Sequence, residues 1–438
     1  MNAEVKMMRT AAEAAYADAL TALPAPEAIR SLREKALRLF AEKGLPHRRV
    51  EEWKYTDLRA LIREMPPLAK GADGAAIAEA KKNSVLTNIG AREITFVNGA
   101  FVAELSNLKG LEKGLSITTL ADALAKDASL VTLLAKINPN KYDAVFALNT
   151  AALNEGILIE VAPGAQITQP IHVRHIVTGT SPVSVFGRAV VKVGAKAQAT
   201  LVQSHVGPDT VAYQTNTVLQ LSVADDAELD VVRVQAEGDK AIHLSMMIGA
   251  IGNESRFRSF ALTTGGAASR HTVPFAYAGR NARATIAGAT LLRGKQHADT
   301  TLEIDHAMPG GESRELYKTV LDDEANGVFQ GLIIVRPDAQ KTDGRMMSAA
   351  LLLGDNAEMD NKPELEIFAD DVQCAHGATT GALDDDLLFY LRARGIPKKE
   401  AESLLIQSFF GEAVETIENA KIRDAVMNLA GGWLAARS

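Results

Sequence analysis

A mainly β protein, with a parallel β-helix core between helical ends, is the fold this 438-residue sequence predicts. Three observations carry that expectation. Residues 1–65 and 384–438 place apolar side chains at helical spacing. From Ile157 to Gly381 that period gives way to short β-type runs punctuated by Gly, Asn and Asp. Within this stretch a small-residue turn leading into an alternating run recurs at Ala165, Ala197, Ala227, Glu254, Ala282, Ala325 and Ala357, at offsets of 32, 30, 27, 28, 43 and 32. A β-sandwich also supplies many short strands, but it needs no turn recurring at one offset. Stacked coils do, because each leaves an edge unpaired until the next settles on it.

The organisation follows in chain order. Residues 1–65 form a helical N-terminal domain. Pro24 and Pro26 open a helix carrying Leu32, Ala36, Leu37 and Phe40 on one face, and Gly44-Leu45-Pro46 stops it. The patch Glu51-Glu52-Trp53-Lys54-Tyr55-Thr56 comes next. Residues 66–156 are a linker and mixed segment, rich in Pro, Gly and Ala from Pro66 to Gly74. The β-helix core spans 157–383, and a C-terminal helical domain spans 384–438. There Asp384, Asp385 and Asp386 suit a helix N-terminus, and Gly395 stops the helix. Pro397 fits the first turn of a second helix. One face of that helix is read as Ala401, Leu404, Leu405, Ser408 and Phe409, with further helix through residues 412–434. These helices are expected to cap the last coil, to offer a docking surface, or both.

Composition removes several function classes. The formal charge of −7, from 47 Lys plus Arg against 54 Asp plus Glu, gives no general attraction to nucleic acid or anionic membrane. Aromatics at 5% are too sparse for stacking platforms. The single cysteine, Cys374, cannot form an internal disulfide, so no oxidising compartment is required. The opening MNAEVKMMRTAAEAAYADAL lacks an uninterrupted apolar segment, and no run approaches the ~20 residues of a membrane span. A cytoplasmic location is expected. The motifs GxxxxGK[ST], GxGxxG after a strand, HExxH, CxxC and GxSxG are all missing, so no nucleotide-hydrolysing loop or familiar catalytic centre is legible.

Three groups remain as candidates. Cys374 and His376 lie two apart, which on a strand puts thiolate and imidazole on one face. Two donors fall short of a closed four-ligand site, so further ligands would have to come from elsewhere, such as another chain. His297, Asp299, Asp305 and His306 combine imidazole and carboxylate without a known metal spacing. Glu303 with Asp305 could serve as an acid–base pair acting on a sugar. In the C-terminal helices, Phe389, Tyr390, Leu404, Phe409 and Phe410 concentrate apolar and aromatic surface of a kind found at interfaces.

The stretch Pro363-Glu364-Leu365-Glu366-Ile367-Phe368-Ala369-Asp370-Asp371-Val372-Gln373-Cys374-Ala375-His376-Gly377-Ala378 resembles the signature of the SufB/SufD family of iron–sulfur cluster assembly proteins. The likeness extends through Leu388-Phe389-Tyr390-Leu391-Arg392-Ala393-Arg394-Gly395-Ile396, Asn326-Gly327-Val328-Phe329-Gln330-Gly331 and Ala339-Gln340-Lys341-Thr342-Asp343, and to Gly44-Leu45-Pro46 with Glu51 to Thr56. SufB proteins generally carry several cysteines, so one cysteine sets this chain with the other branch. The resemblance implies a right-handed parallel β-helix and a complex with a SufB-like paralogue and the ABC-type ATPase SufC. It implies that Cys374 and His376 lie near the contact with the paralogue, where transient iron or a nascent cluster is held. None is expected in the isolated chain. It also implies that SufC docks on the helices from Asp385 to Phe410, for which Phe389, Tyr390, Arg394, Leu404, Leu405, Phe409 and Phe410 are the candidate contacts. Where relatives carry amides after the Lys-Thr-Asp motif, this chain has Arg345, Met346, Met347 and Ser348. The expected function is a non-catalytic scaffold, with ATP hydrolysis in SufC. The alternatives are a sugar-acting β-helix enzyme using Glu303 and Asp305, or a structural subunit without metal contact. Exposed coil edges make a homodimer of the isolated chain plausible, and no flavin motif is visible.

Overall fold

The computed structural model describes residues 9–24, 26–83, 85–135 and 143–437, so the first eight residues of the stretch read for a secretion signal lie outside the described residues. The core is a β-solenoid of two sheets. Ten strands from Ala100–Phe101 and Arg92–Val97 to Gln373–Gly381 form the first sheet, and nine from Leu115–Thr119 to Glu358–Ile367 form the second. From Ile157 on the chain alternates between them, and stacked strands pair in parallel with partners 26 to 32 residues apart (Ile242 with Ala268, Asn326 with Glu358), while Arg92–Val97 pairs in parallel with Ile171–Ile176 across 79 residues. Only the first pairing at the N-terminal end of each sheet is antiparallel.

The turns explain the repeat. At one corner a left-handed residue recurs: Gly164, Lys196, Asp226, Glu254, Asn281, Gly310 and Lys341, with φ from 53° to 75°. Each backbone N–H from Lys196 to Lys341 donates to a carbonyl of the next coil's turn, at Asp225, Asn253, Arg280, Pro309, Gln340 and Asp371, at 2.7 to 3.0 Å. That conformation costs a non-glycine residue roughly 1 kcal/mol, which the recurring hydrogen bond and the buried small residue beside it offset. The offset of 43 residues in the sequence is a change of corner. Ala282 precedes Arg283–Leu292 of the first sheet, whereas Ala325 precedes Asn326–Val335 of the second. Both corners use the same small-residue chemistry, so spacing alone merges them.

Side chains alternate strictly along the strands. In the first sheet Leu229 and Val231 enter the solenoid core, while Val232 and Val234 face outward. The outward columns Val202–Val232–Phe260–Ala287 and Val234–Leu262–Ala289 are apolar, and the helices Lys398–Val414 and Ala420–Ala435 cover them with Ile406, Phe410, Val414, Ile422, Val426 and Trp433. The C-terminal helices therefore lie along the side of the solenoid and do not cap its last coil. The buried stripe of the longer one runs through Ala401, Ile406, Phe410 and Ala413, not through Leu404 and Leu405 as its sequence suggested. Pro397 is the N-cap of that helix and lies one position ahead of its first turn.

The N-terminal helices Ala11–Ala22 and Glu27–Lys43 sit with Ala144–Ala151 on the outer face of the second sheet, where Leu244 joins their apolar cluster. The Trp53 patch locks this attachment. The Arg270 guanidinium stacks 3.9 Å over the Trp53 ring and forms a buried ion pair with Asp299. Thr56 Oγ1 donates to Asp299 at 2.5 Å and lies 2.9 Å from His297 Nε2.

Candidate functional site

The last coil is unlike the others. Its strands, Glu358–Ile367 and Gln373–Gly381, each pair on one side only, and few of their side chains are covered. Ile367 and Phe368 (58% exposed) end the second sheet in solvent. Cys374 and His376 lie on the terminal strand of the first sheet, in register with Gly344 and Met346. Met346 is a core residue, so both belong to inward-facing columns at the point where the interior opens. Cys374 is half-buried against the core, and His376 is exposed.

Burial pushes the Cys374 thiol above its ordinary value, and the carboxylates of Asp343 and Glu315 add to the effect. A hydrogen bond with the Gly344 backbone opposes the rise. A raised thiol pKa favours the protonated, weakly nucleophilic form until a cation displaces the proton. Among the described residues no three His, Cys, Asp or Glu side chains are arranged to hold a metal ion. Cys374 and His376 thus offer two donors, one soft and one borderline, and a tetrahedral centre would need two more from outside the chain.

Below them lies a polar group that the sequence did not flag. Glu315 occupies the His376–Met346 column, one coil beyond Met346 and facing the core. It is buried, and neither carboxyl oxygen has a hydrogen-bond partner. Burial pushes it up to about 8, against weaker opposing pulls from the neighbouring Ser313 hydroxyl and then Arg314. His306 Nε2 lies 3.1 Å from Ser313 Oγ, its ring stacks on Tyr277, and burial holds it down to about 4.

The other carboxylate and histidine candidates separate by strand parity. His297, Asp299, Glu303 and Asp305 share the outward face of His297–His306, and His306 points inward. Asp299 and His297 are occupied by the latch to Thr56 and Arg270, and Asp305 makes a two-pronged ion pair with Arg336 at 2.9 Å. They are structural groups and do not converge on one centre. The replacements after Thr342-Asp343 are likewise committed: Arg345 pairs with Asp343, Met346 fills the core, and Ser348 Oγ donates to Asn361 at 2.7 Å.

Of the docking candidates, Phe389 (73% exposed), Tyr390 and Leu404 stand in solvent, with the Arg394 guanidinium 3.4 Å over the Tyr390 ring. No residue of the helix Asp385–Arg392 is buried, and Asp384 caps it by accepting from Asp386 and Leu387. Beside it Phe389, Arg392, Gly395, Ile396 and Lys398 line an open depression of about 460 Å³. Leu405 and Phe409 are partly covered, Phe409 by Lys318. Phe410 is 0% exposed, packed on the first sheet, and anchors the helix without offering surface to a partner.

These features define a laterally covered parallel β-solenoid whose final coil is left open. The pattern of the SUF-system SufBD core domain matches residues 175–409, and that of the SufBD N-terminal region matches 15–173. The chain is 29% identical over 407 residues to the iron–sulfur cluster assembly protein SufD of Escherichia coli, covering 91% of each protein. It is 29% identical over 402 residues to an iron–sulfur cluster assembly SufBD family protein of Synechocystis, covering 89% of this chain and 88% of that one. To SufD of Bacillus subtilis it is 25% identical over 418 residues, covering 90% and 91%. The chain belongs to the SufBD family of iron–sulfur cluster assembly proteins.

Proposed function

We propose that this chain is the SufD-type scaffold subunit of a complex with a SufB-like paralogue and the ATPase SufC. The observation that carries the reading is the open last coil. It joins a free strand edge, exposed Ile367 and Phe368, and an incomplete donor pair, Cys374 and His376, on one end of the molecule. A free edge pairs with another strand, apolar residues at its end favour association, and two donors suit a cation completed by a partner's ligands. Iron or a nascent cluster is then cargo at the contact. The solvent-facing Phe389, Tyr390, Arg394 and Leu404 supply an aromatic and arginine surface for SufC on the helices that follow the last strand. A solenoid with a continuous core carries force between the two without hydrolysing ATP itself.

The test is co-purification with candidate SufB and SufC, followed by iron and sulfide analysis. Wild type is expected to form the three-component complex. Cys374→Ala with His376→Ala is expected to retain the partners and lose cluster. Undiminished cluster assembly in that double variant would reject the metal role and leave a structural subunit. ATP hydrolysis by the purified single chain would reject the non-catalytic reading.

A further inference from the structure

Deep inside the solenoid, remote in sequence from the last coil, the packing changes from aliphatic to polar. Arg233 lies on the strand Glu228–Ala236, two residues beyond the core residue Val231, so it points inward. It is 5% exposed, and its Nε and Nη2 have no hydrogen-bond partner. Those two atoms form one edge of the guanidinium and present two nearly parallel N–H donors. Its remaining hydrogen bond is a long one, Nη1 to Thr263 Oγ1 at 3.5 Å, and the Glu237 carboxylate is near enough for its charge to act on the guanidinium.

Inward-facing histidines from both sheets lie in the same part of the core, His205, His243 and His271 near enough to feel the charge of Arg233. His175 and His205 stack with ring centroids 4.7 Å apart, and His205 meets His243 edge-on at 4.8 Å. The nitrogens His175 Nε2, His205 Nδ1 and His243 Nε2 are buried without partners. Burial holds His205, His243 and His271 below the ordinary imidazole value, and the charge of Arg233 pushes each further the same way. Glu237 is the carboxylate in the group, but its oxygens are taken by His243 Nδ1 at 2.5 Å, Thr215 Oγ1 at 3.0 Å and Gln235 Nε2 at 3.2 Å. The guanidinium edge is therefore left with its donors unfilled.

We propose that a small monovalent anion of chloride size binds on the Nε/Nη2 edge of Arg233, with the His205 imidazole turned to donate to it. A buried permanent cation with two idle parallel donors is costly, and an anion satisfies charge and hydrogen bonding together. A metal cation is disfavoured by the adjacent guanidinium, and no three ligating side chains among the described residues are arranged for one.

The experiment soaks crystals of the full chain in sodium bromide and maps the bromine anomalous signal. A peak within hydrogen-bonding distance of Arg233 Nε and Nη2 is expected. In solution, bromide should raise the melting temperature above that in sodium gluconate of equal ionic strength, since gluconate is too large to enter. Arg233→Gln should abolish that difference and weaken bromide binding by about tenfold or more, the factor a lost charge-assisted pair represents. A map with no bromine at the edge, or a bromide-dependent shift that survives in Arg233→Gln, overturns the proposal. Should the variant fail to fold, the wild-type map decides alone.

Discussion

Replacing Glu315 by Gln isolates a single buried carboxyl that sits between Ile286 and Met346 in its column. The unfolded chain releases this proton near 4.5, whereas the folded chain keeps it until about 8. Between those values the native state binds a proton that the unfolded state has lost, so stability falls as pH rises through the window. At 1.36 kcal/mol per unit, a shift of about 3.5 units gives a total near 5 kcal/mol, of which roughly 3 kcal/mol is lost between pH 5 and pH 7.5. Gln keeps the shape and cannot ionise. Urea unfolding of both proteins across that range should show wild type losing about 3 kcal/mol relative to Glu315→Gln. Infrared spectra at pH 6 should show a protonated carboxyl band that the variant lacks. Parallel stability curves with no missing band would mean that Glu315 is ionised in the core, and the account of its burial would be wrong.

Four further outcomes are expected. His175 and His306 are buried neutral and held down to about 4, so acid should destabilise the fold as pH drops from 6.5 towards 4, each by up to roughly 3 kcal/mol, read by melting temperature against pH. Asp299→Ala leaves the buried Arg270 unpaired and should cost about 3–5 kcal/mol, with faster proteolysis of the N-terminal helices than in wild type. Phe410→Ala should cost about 3–5 kcal/mol, whereas Phe389→Ser should move stability by no more than about 0.5 kcal/mol while weakening SufC capture. Asn281→Val, at φ 53°, should destabilise by about 1–2 kcal/mol, and Asn281→Gly should not.

The stacked architecture was readable in the sequence because every coil repeats one local requirement. A left-handed residue and a small buried neighbour at the corner, then alternation, recur wherever a coil closes, as at Lys196-Ala197, Asp226-Ala227 and Asn281-Ala282. Cys374 and His376 were also readable, since a two-residue spacing on a strand fixes a shared face whatever surrounds it. What surrounds that face was not readable: the interior opens there because, among the described residues, no later strand stacks on Gln373–Gly381.

Other features depend on residues far apart in the chain. His297 and Asp299 combine metal-binding residue types without a known metal spacing, and in the fold Thr56 and Arg270 lie against them. Leu404, Leu405, Ile406, Phe409 and Phe410 give the C-terminal helix apolar groups on more than one side. The columns of Val232, Phe260 and Ala289 chose which side was buried. His175 and His205, thirty residues apart, carried a faint signal of their stacking in that coil-length separation, but the turn to Arg233 and His243 did not. Periodicity is a local property that sequence encodes directly. Which faces meet, which polar groups are left inside, and which end stays open follow from long-range packing, and that the tertiary structure alone decided.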